Sequence, residues 1–249
     1  MDGISIGLFL LATYLGGMVS GIAGFAMGLV VSGVWLHILT PLQTAILMVG
    51  YGLISQGMGI WRLRRALDWR AIAPFVIGGA FGVPLGAVLL SRIDPAHVRG
   101  GVGAFLMLYS VYNLARPKIA PVQVGKPADL GIGFLNGVLG GLTGLGGVVV
   151  TVWCQLHGWP KDRQRAIFQP VLFATIVLSA VSLSAVGAVT AETFQLYLLG
   201  VPFMLAGTQV GLWLYGKLDE AGFRRVVLWL LMASGVSLLV PFSLLRGIM

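Results

Sequence analysis

Charge is what this sequence has least of. Charged residues make up 10% of the 249-residue chain, where soluble domains carry roughly 25%. A soluble protein of this length could bury a good core but could not cover its surface with so few charges. The eight acidic residues (Asp2, Asp68, Asp94, Asp129, Asp162, Glu192, Asp219 and Glu220) all fall near ends of apolar segments or in loops. No carboxylate is expected at the membrane centre, which excludes an acidic proton relay of the usual kind. A basic residue is not expected there either. The single cysteine, Cys154, excludes an internal disulfide. No nucleophile–base pair, metal-ligand cluster or cofactor motif can be assembled, so the chain does not read as an enzyme.

Hydrophobic residues are plentiful instead, at 57%. Apolar runs near the ~20-residue spanning length recur from end to end, and they lack the alternation of barrel strands. The sequence therefore predicts an all-α polytopic membrane protein. Its net charge of +8 would suggest nucleic acid in a soluble protein, but here the basic residues sit in short loops and carry topology information. The partners expected are the lipid bilayer and a small ligand, with no nucleic acid; assembly into a homo-oligomer is left open.

Apolar stretches run over about 3–39, 41–61, 71–91, 98–115, 130–159, 166–188, 194–215 and 223–240. The first and fifth are interrupted by glycine clusters, Gly21 to Gly28 and Gly140 to Gly147. Glycines this dense disfavour a continuous helix. The segment 116–129, with Pro117, Pro121 and Pro127, marks the midpoint between repeats at 1–115 and 130–249. Offsets support a duplication. At 120, Gly21, Gly24 and His37 match Gly141, Gly144 and His157. At 125, Gly82, Gly86, Arg92, Asp94 and Arg99 match Gly207, Gly211, Lys217, Asp219 and Arg224.

Charge bias chooses the topology. If all eight stretches cross, basic residues divide evenly between the sides, against the positive-inside rule. If each glycine-broken stretch enters and returns on one side, with the N-terminus outside, thirteen of the sixteen basic residues fall in the cytoplasm. Each repeat is then a re-entrant hairpin plus three transmembrane helices. Three is odd, so the repeats are inverted, with both termini outside. Inverted repeats whose broken helices meet near the midplane are a recurring transporter design. The competing reading is that the glycines only permit close helix packing.

A half-helix starting at a glycine break points backbone N–H groups and its positive dipole end at the break. Two such ends would hold a small anion without a buried cation. The candidate ligands are Ser20, Gly21 and Gly24 in the first hairpin and Gly141, Thr143, Gly144, Gly146 and Gly147 in the second. Gln169 and Gln209 are added because an amide within a span can donate to an oxyanion. Gln56 reads more readily as interhelical glue, and Trp35, Trp153 and Trp159 suit an aromatic belt as well as a gate. His37 and His157, at matching hairpin ends, read first as interfacial residues and second as proton carriers. No metal site is expected.

The stretch Asn136-Gly137-Val138-Leu139-Gly140-Gly141-Leu142-Thr143-Gly144-Leu145-Gly146-Gly147, with the duplicated plan, resembles the TauE/SafE family of sulfite exporters. That resemblance implies export of a small sulfur-containing or organic anion, such as sulfite or sulfoacetate, across a bacterial inner membrane. A passive anion channel on the same fold and a non-transporting membrane assembly subunit are the alternatives.

Overall fold

The computed structural model describes residues 3–90, 95–115, 125–143, 147–185 and 190–239. These residues form ten helices and no strand. In chain order they are α1 (Gly3–Ala23), α2 (Met27–Ile38), α3 (Pro41–Leu63), α4 (Trp69–Leu90), α5 (Pro95–Ala115), α6 (Lys126–Thr143), α7 (Val148–Leu156), α8 (Lys161–Ala185), α9 (Ala191–Lys217) and α10 (Glu220–Leu239). Stretches covering Gly3–Ala23, Leu42–Leu63, Trp69–Gly86 and Ala191–Lys217 are long and apolar enough to cross a membrane. Large apolar side chains such as Ile4, Phe81, Leu108 and Trp213 face outward. In water they would be a liability; lipid is their natural solvent.

Local chemistry sets the helix ends. The Thr40 hydroxyl accepts from the Gln43 amide while the Gln43 side chain accepts from the Thr40 amide, and Pro41 occupies the first helical position of α3. At α9 the cap is one-way, the Thr190 hydroxyl accepting from the Thr193 amide. Both glycine-rich stretches break as expected, α1 from α2 and α6 from α7. Two boundaries differ from expectation. α6 starts at Lys126, because Pro127 is tolerated in a first helical turn and does not delay it. α8 starts at Lys161, so residues 161–165 are helix and not loop.

The chain divides into two compact units. Unit 1 comprises Met1–Asp68 with Arg165–Asp219, and unit 2 comprises Trp69–Gln164 with Glu220–Met249. Each draws on both halves of the sequence. In unit 1 α2 folds back on α1: Val31 and Met27 lie against Gly16, and the Phe9 and Trp35 rings stack at 5.3 Å. The first hairpin is thus seen directly, although at about 1.5 Å per residue α1 alone is about 31 Å long. That length is enough for a full crossing.

The principal packing in unit 1 is α1 on α9, and in unit 2 α4 on α6. Both crossings place backbone on backbone through glycine, as small residues allow in membrane helices. A Cβ at Gly17 would meet the Met204 carbonyl at 2.7 Å and the Thr208 amide at 3.1 Å; one at Gly137 would meet the Gly79 carbonyl at 2.6 Å and the Val83 amide at 3.0 Å. Gly207 rests on the Tyr14 carbonyl and the Met18 amide; Gly82 rests on the Phe134 carbonyl and the Val138 amide. Adding 120 to residues of α1 gives those of α6, and adding 125 to residues of α4 gives those of α9. The two offsets in the sequence reappear as one helix crossing made twice.

Candidate functional site

The first break is built by two residues in left-handed backbone. Gly24 has φ +83° and Ala26 φ +69°. At Gly24 both conformation and space demand glycine, since a Cβ would come within 2.7 Å of the Phe168 ring. The preceding turn closes through the Gly24 amide, which donates to the Ser20 carbonyl at 2.7 Å.

Side chains from three helices converge on this tip. The Ser20 and Ser55 hydroxyls are hydrogen-bonded at 2.6 Å, and Gln56 Nε2 donates to the Gly24 carbonyl at 2.9 Å. From α8, Arg165 Nη1 donates to the carbonyls of Gly21 at 2.9 Å and Ile22 at 3.3 Å. The guanidinium also lies 4.2 Å from the centre of the Tyr215 ring. Arg165 is only 1% exposed. One turn later on the same face, the buried Gln169 side chain presses on Gly59 of α3. Phe25 and Phe168 close the tip edge to face at 6.1 Å.

Two sequence expectations change here. A basic residue does occupy the interior: Arg165, assigned to a charged loop by the sequence reading, is carried inward because α8 begins five residues earlier. The anion argument from missing charge therefore fails at the first break, where a cation neutralises the negative, C-terminal end of α1. Second, the tip lies opposite Ser55, Gln56 and Gly59, towards the C-terminal end of α3. Within unit 1 the break reaches past the middle of its neighbouring helix.

Among the predicted ligands, Ser20, Gly21, Gly24 and Gln169 come together at this tip. Gln209 does not: its side chain lies on the exposed face of α9, while its neighbour Thr208 is buried and packs with its backbone against Gly21. Ser55, Gln56 and Arg165 join the cluster without having been chosen. For Arg165 a signal was present, since Trp159-Pro160 followed by Lys161-Asp162 reads as a helix start with an acidic residue in its first turn.

In unit 2 the second break ends at Gly147, with φ +99°, which opens α7. Its amide donates to Asn136 Oδ1 at 2.8 Å, so the asparagine of the glycine-rich motif ties the second arm to the first. The Thr151 hydroxyl donates to the Gly147 carbonyl at 2.7 Å. Asn136 is buried, and its Nδ2 has no partner among the described residues. Gly141 and Thr143 fall in the last turn of α6; Gly144 and Gly146 lie outside the described residues. Ala26 and Gly147 share a further property: each opens a helix from left-handed backbone, and neither supplies a side-chain cap to the first-turn amides.

An all-helical chain with span-length apolar helices, glycine crossings and two helical breaks is a multi-pass membrane protein. The family model described as "Sulfite exporter TauE/SafE" matches residues 9–238, and the chain belongs to that family. Membership makes it a transporter of the sulfite and small-anion exporter class. No curated protein and no solved structure matches it.

Proposed function

We propose that this protein exports a small anion, sulfite, sulfoacetate or a related sulfur-containing or organic anion, by alternating access around the two broken helices. The observation that carries the proposal is the pairing of α2 and α7. Each starts from left-handed backbone at a break, and its N-cap residue gives no side-chain hydrogen bond to the first-turn amides. Such amides are the donors a small anion uses at a helix N-terminus. Ser20, Gly21, Gly24 and Gln169 are assigned to the first half of the site, and Gly141, Thr143, Gly144, Gly146 and Gly147 to the second. Gln209 would act from α9 only in another state of the transport cycle.

The duplicated crossing supports the inverted-repeat reading, in which 1–115 and 130–249 are copies and 116–129 joins them. The same reading sets the protein in the bacterial inner membrane with both termini outside. Arg165 has a positioning role in it: by holding the Gly21 and Ile22 carbonyls it turns the α1 end away from an approaching anion and leaves the α2 amides to receive one.

The deciding assay is sulfite and sulfoacetate flux in proteoliposomes, with saturation and counterflow distinguishing a carrier from a pore. Flux that survives Thr143→Val combined with Gly144→Leu sinks the site assignment. Linear, unsaturable flux would favour the channel, and no flux of any anion the assembly subunit.

A further inference from the structure

Unit 2 contains a cavity of about 300 Å³ at the ends of α7 and α10, outside both breaks. That volume is at the lower end of the range for small-molecule sites. Its polar walls are Gln155, Gln164, Glu220 and Arg224, with Trp159 beside them.

The orientation of Gln164 is fixed by its bonding. Its Nε2 donates to the Trp159 carbonyl at 2.7 Å, so the remaining Oε1 is an acceptor, and it has no partner among the described residues. The residue is 7% exposed. Gln155 brings a second acceptor and a donor, since neither of its buried amide atoms has a partner among the described residues. Glu220 accepts from the Lys161 amide at 2.6 Å, which leaves its charge in place and further lone pairs to use. Arg224 supplies the one cation of the wall; its guanidinium donates to Asn113 at 3.2 Å and has further N–H groups. The wall is firm, because Trp159 packs on His157 at 4.4 Å and carries the Arg163 guanidinium at 4.8 Å.

Three acceptors, one of them charged, thus share a cavity with one guanidinium and one amide donor. An inorganic anion would use the Gln155 donor and leave the Gln155 and Gln164 acceptors unpaired. A metal cation would use those acceptors and leave Gln155 Nε2 unpaired. An ammonium has three N–H donors and a carboxylate or sulfonate has acceptors for an arginine, so a molecule with both ends satisfies every group. We infer that this cavity is a binding site for a short zwitterion, an ω-amino carboxylate or ω-amino sulfonate. Its acid group would lie at Arg224 and Gln155 Nε2, and its ammonium among Gln164 Oε1, Gln155 Oε1 and the Glu220 carboxylate.

The test is calorimetric titration of the detergent-solubilised full chain with β-alanine, and with propionate and propylamine as one-ended controls. β-Alanine should bind at least about tenfold more tightly than either, the cost of leaving a buried group unpaired. Glu220→Gln keeps an oxygen for the Lys161 amide but removes the charge, and should erase that advantage. Gln155→Met should weaken β-alanine about tenfold without lowering thermal stability, since it deletes atoms that have no partner among the described residues. β-Alanine no tighter than propionate, an advantage that survives Glu220→Gln, or no heat with any probe would overturn the inference; the last would mark a cavity filled by water alone. Binding is read here and transport by flux, so failure of one is distinguishable from failure of the other.

Discussion

Arg165 of α8 donates to the Gly21 carbonyl at the end of α1 across 2.9 Å, although 144 residues separate them. A buried cation thereby adds to the glycine cap at Gly24, holding the Gly21 and Ile22 carbonyls beside the Ser20 carbonyl that the Gly24 amide already serves. Arg165→Met should leave those carbonyls without their donor and cost about 2 kcal/mol, read as earlier thermal unfolding in detergent. Arg165→Lys should recover part of this, since an ammonium can reach one carbonyl but not span two. Equal stability of wild type and Arg165→Met would remove the proposed positioning role.

The duplicated crossing makes a paired prediction. Gly17→Ala and Gly137→Ala meet equivalent backbone atoms at 2.7 and 2.6 Å, and each should cost about 1–3 kcal/mol through overpacking. Gly57 has open space around it, so Gly57→Ala should be neutral or stabilising by about 0.5–1 kcal/mol. Thermal denaturation of the three variants compares them; unequal losses at Gly17 and Gly137 would count against equivalence of the crossings.

Gln169 separates a structural role from a transport role. Its Oε1 is buried and without a partner among the described residues, so Gln169→Leu should leave stability within about 1 kcal/mol of wild type. If it serves the anion path, the same variant should lower flux at least about tenfold. Unchanged flux would return Gln169 to packing.

Gly24 should be intolerant for two reasons at once. Gly24→Ala forces a methyl into left-handed backbone and against Phe168, at about 1–3 kcal/mol. Flux should fall with it, because the α2 amides are aimed from this turn. Flux equal to wild type would detach the break from transport.

Sidedness is testable with single cysteines in a Cys154→Ser background, since Cys154 is buried. An impermeant thiol reagent should label Asp162→Cys from the cytoplasmic side and Thr190→Cys from the other. Labelling of Asp162→Cys from outside would overturn the orientation read from charge.

The sequence was most legible where a single residue type decides the outcome. Apolar runs place the helices, glycine clusters place the two breaks, and the offset of 125 pairs Gly82 with Gly207, which both sit in the crossings. Arg165 was not legible because charge counting treats every arginine near a loop as solvated, and only the start of α8 reveals that this one turns inward. Gln56 was legible as a buried polar residue, but its bond to the Gly24 carbonyl depends on how far the hairpin reaches along α3. Gln155 and Gln164 carry no motif at all; they become informative only when the end of α7 and the start of α10 enclose a shared space.

The glycine crossings also bear on how the protein is made and how it arose. The small-residue face of α1 is met by α9 and that of α4 by α6, so neither half of the chain can cover its own faces. During synthesis α1 must wait in the bilayer until nearly all of the chain has followed it. On the proposed duplication, a polypeptide of one half alone would bury the same faces against a second copy of itself, and the fused chain would be the covalent form of a dimer that exchanges its helices.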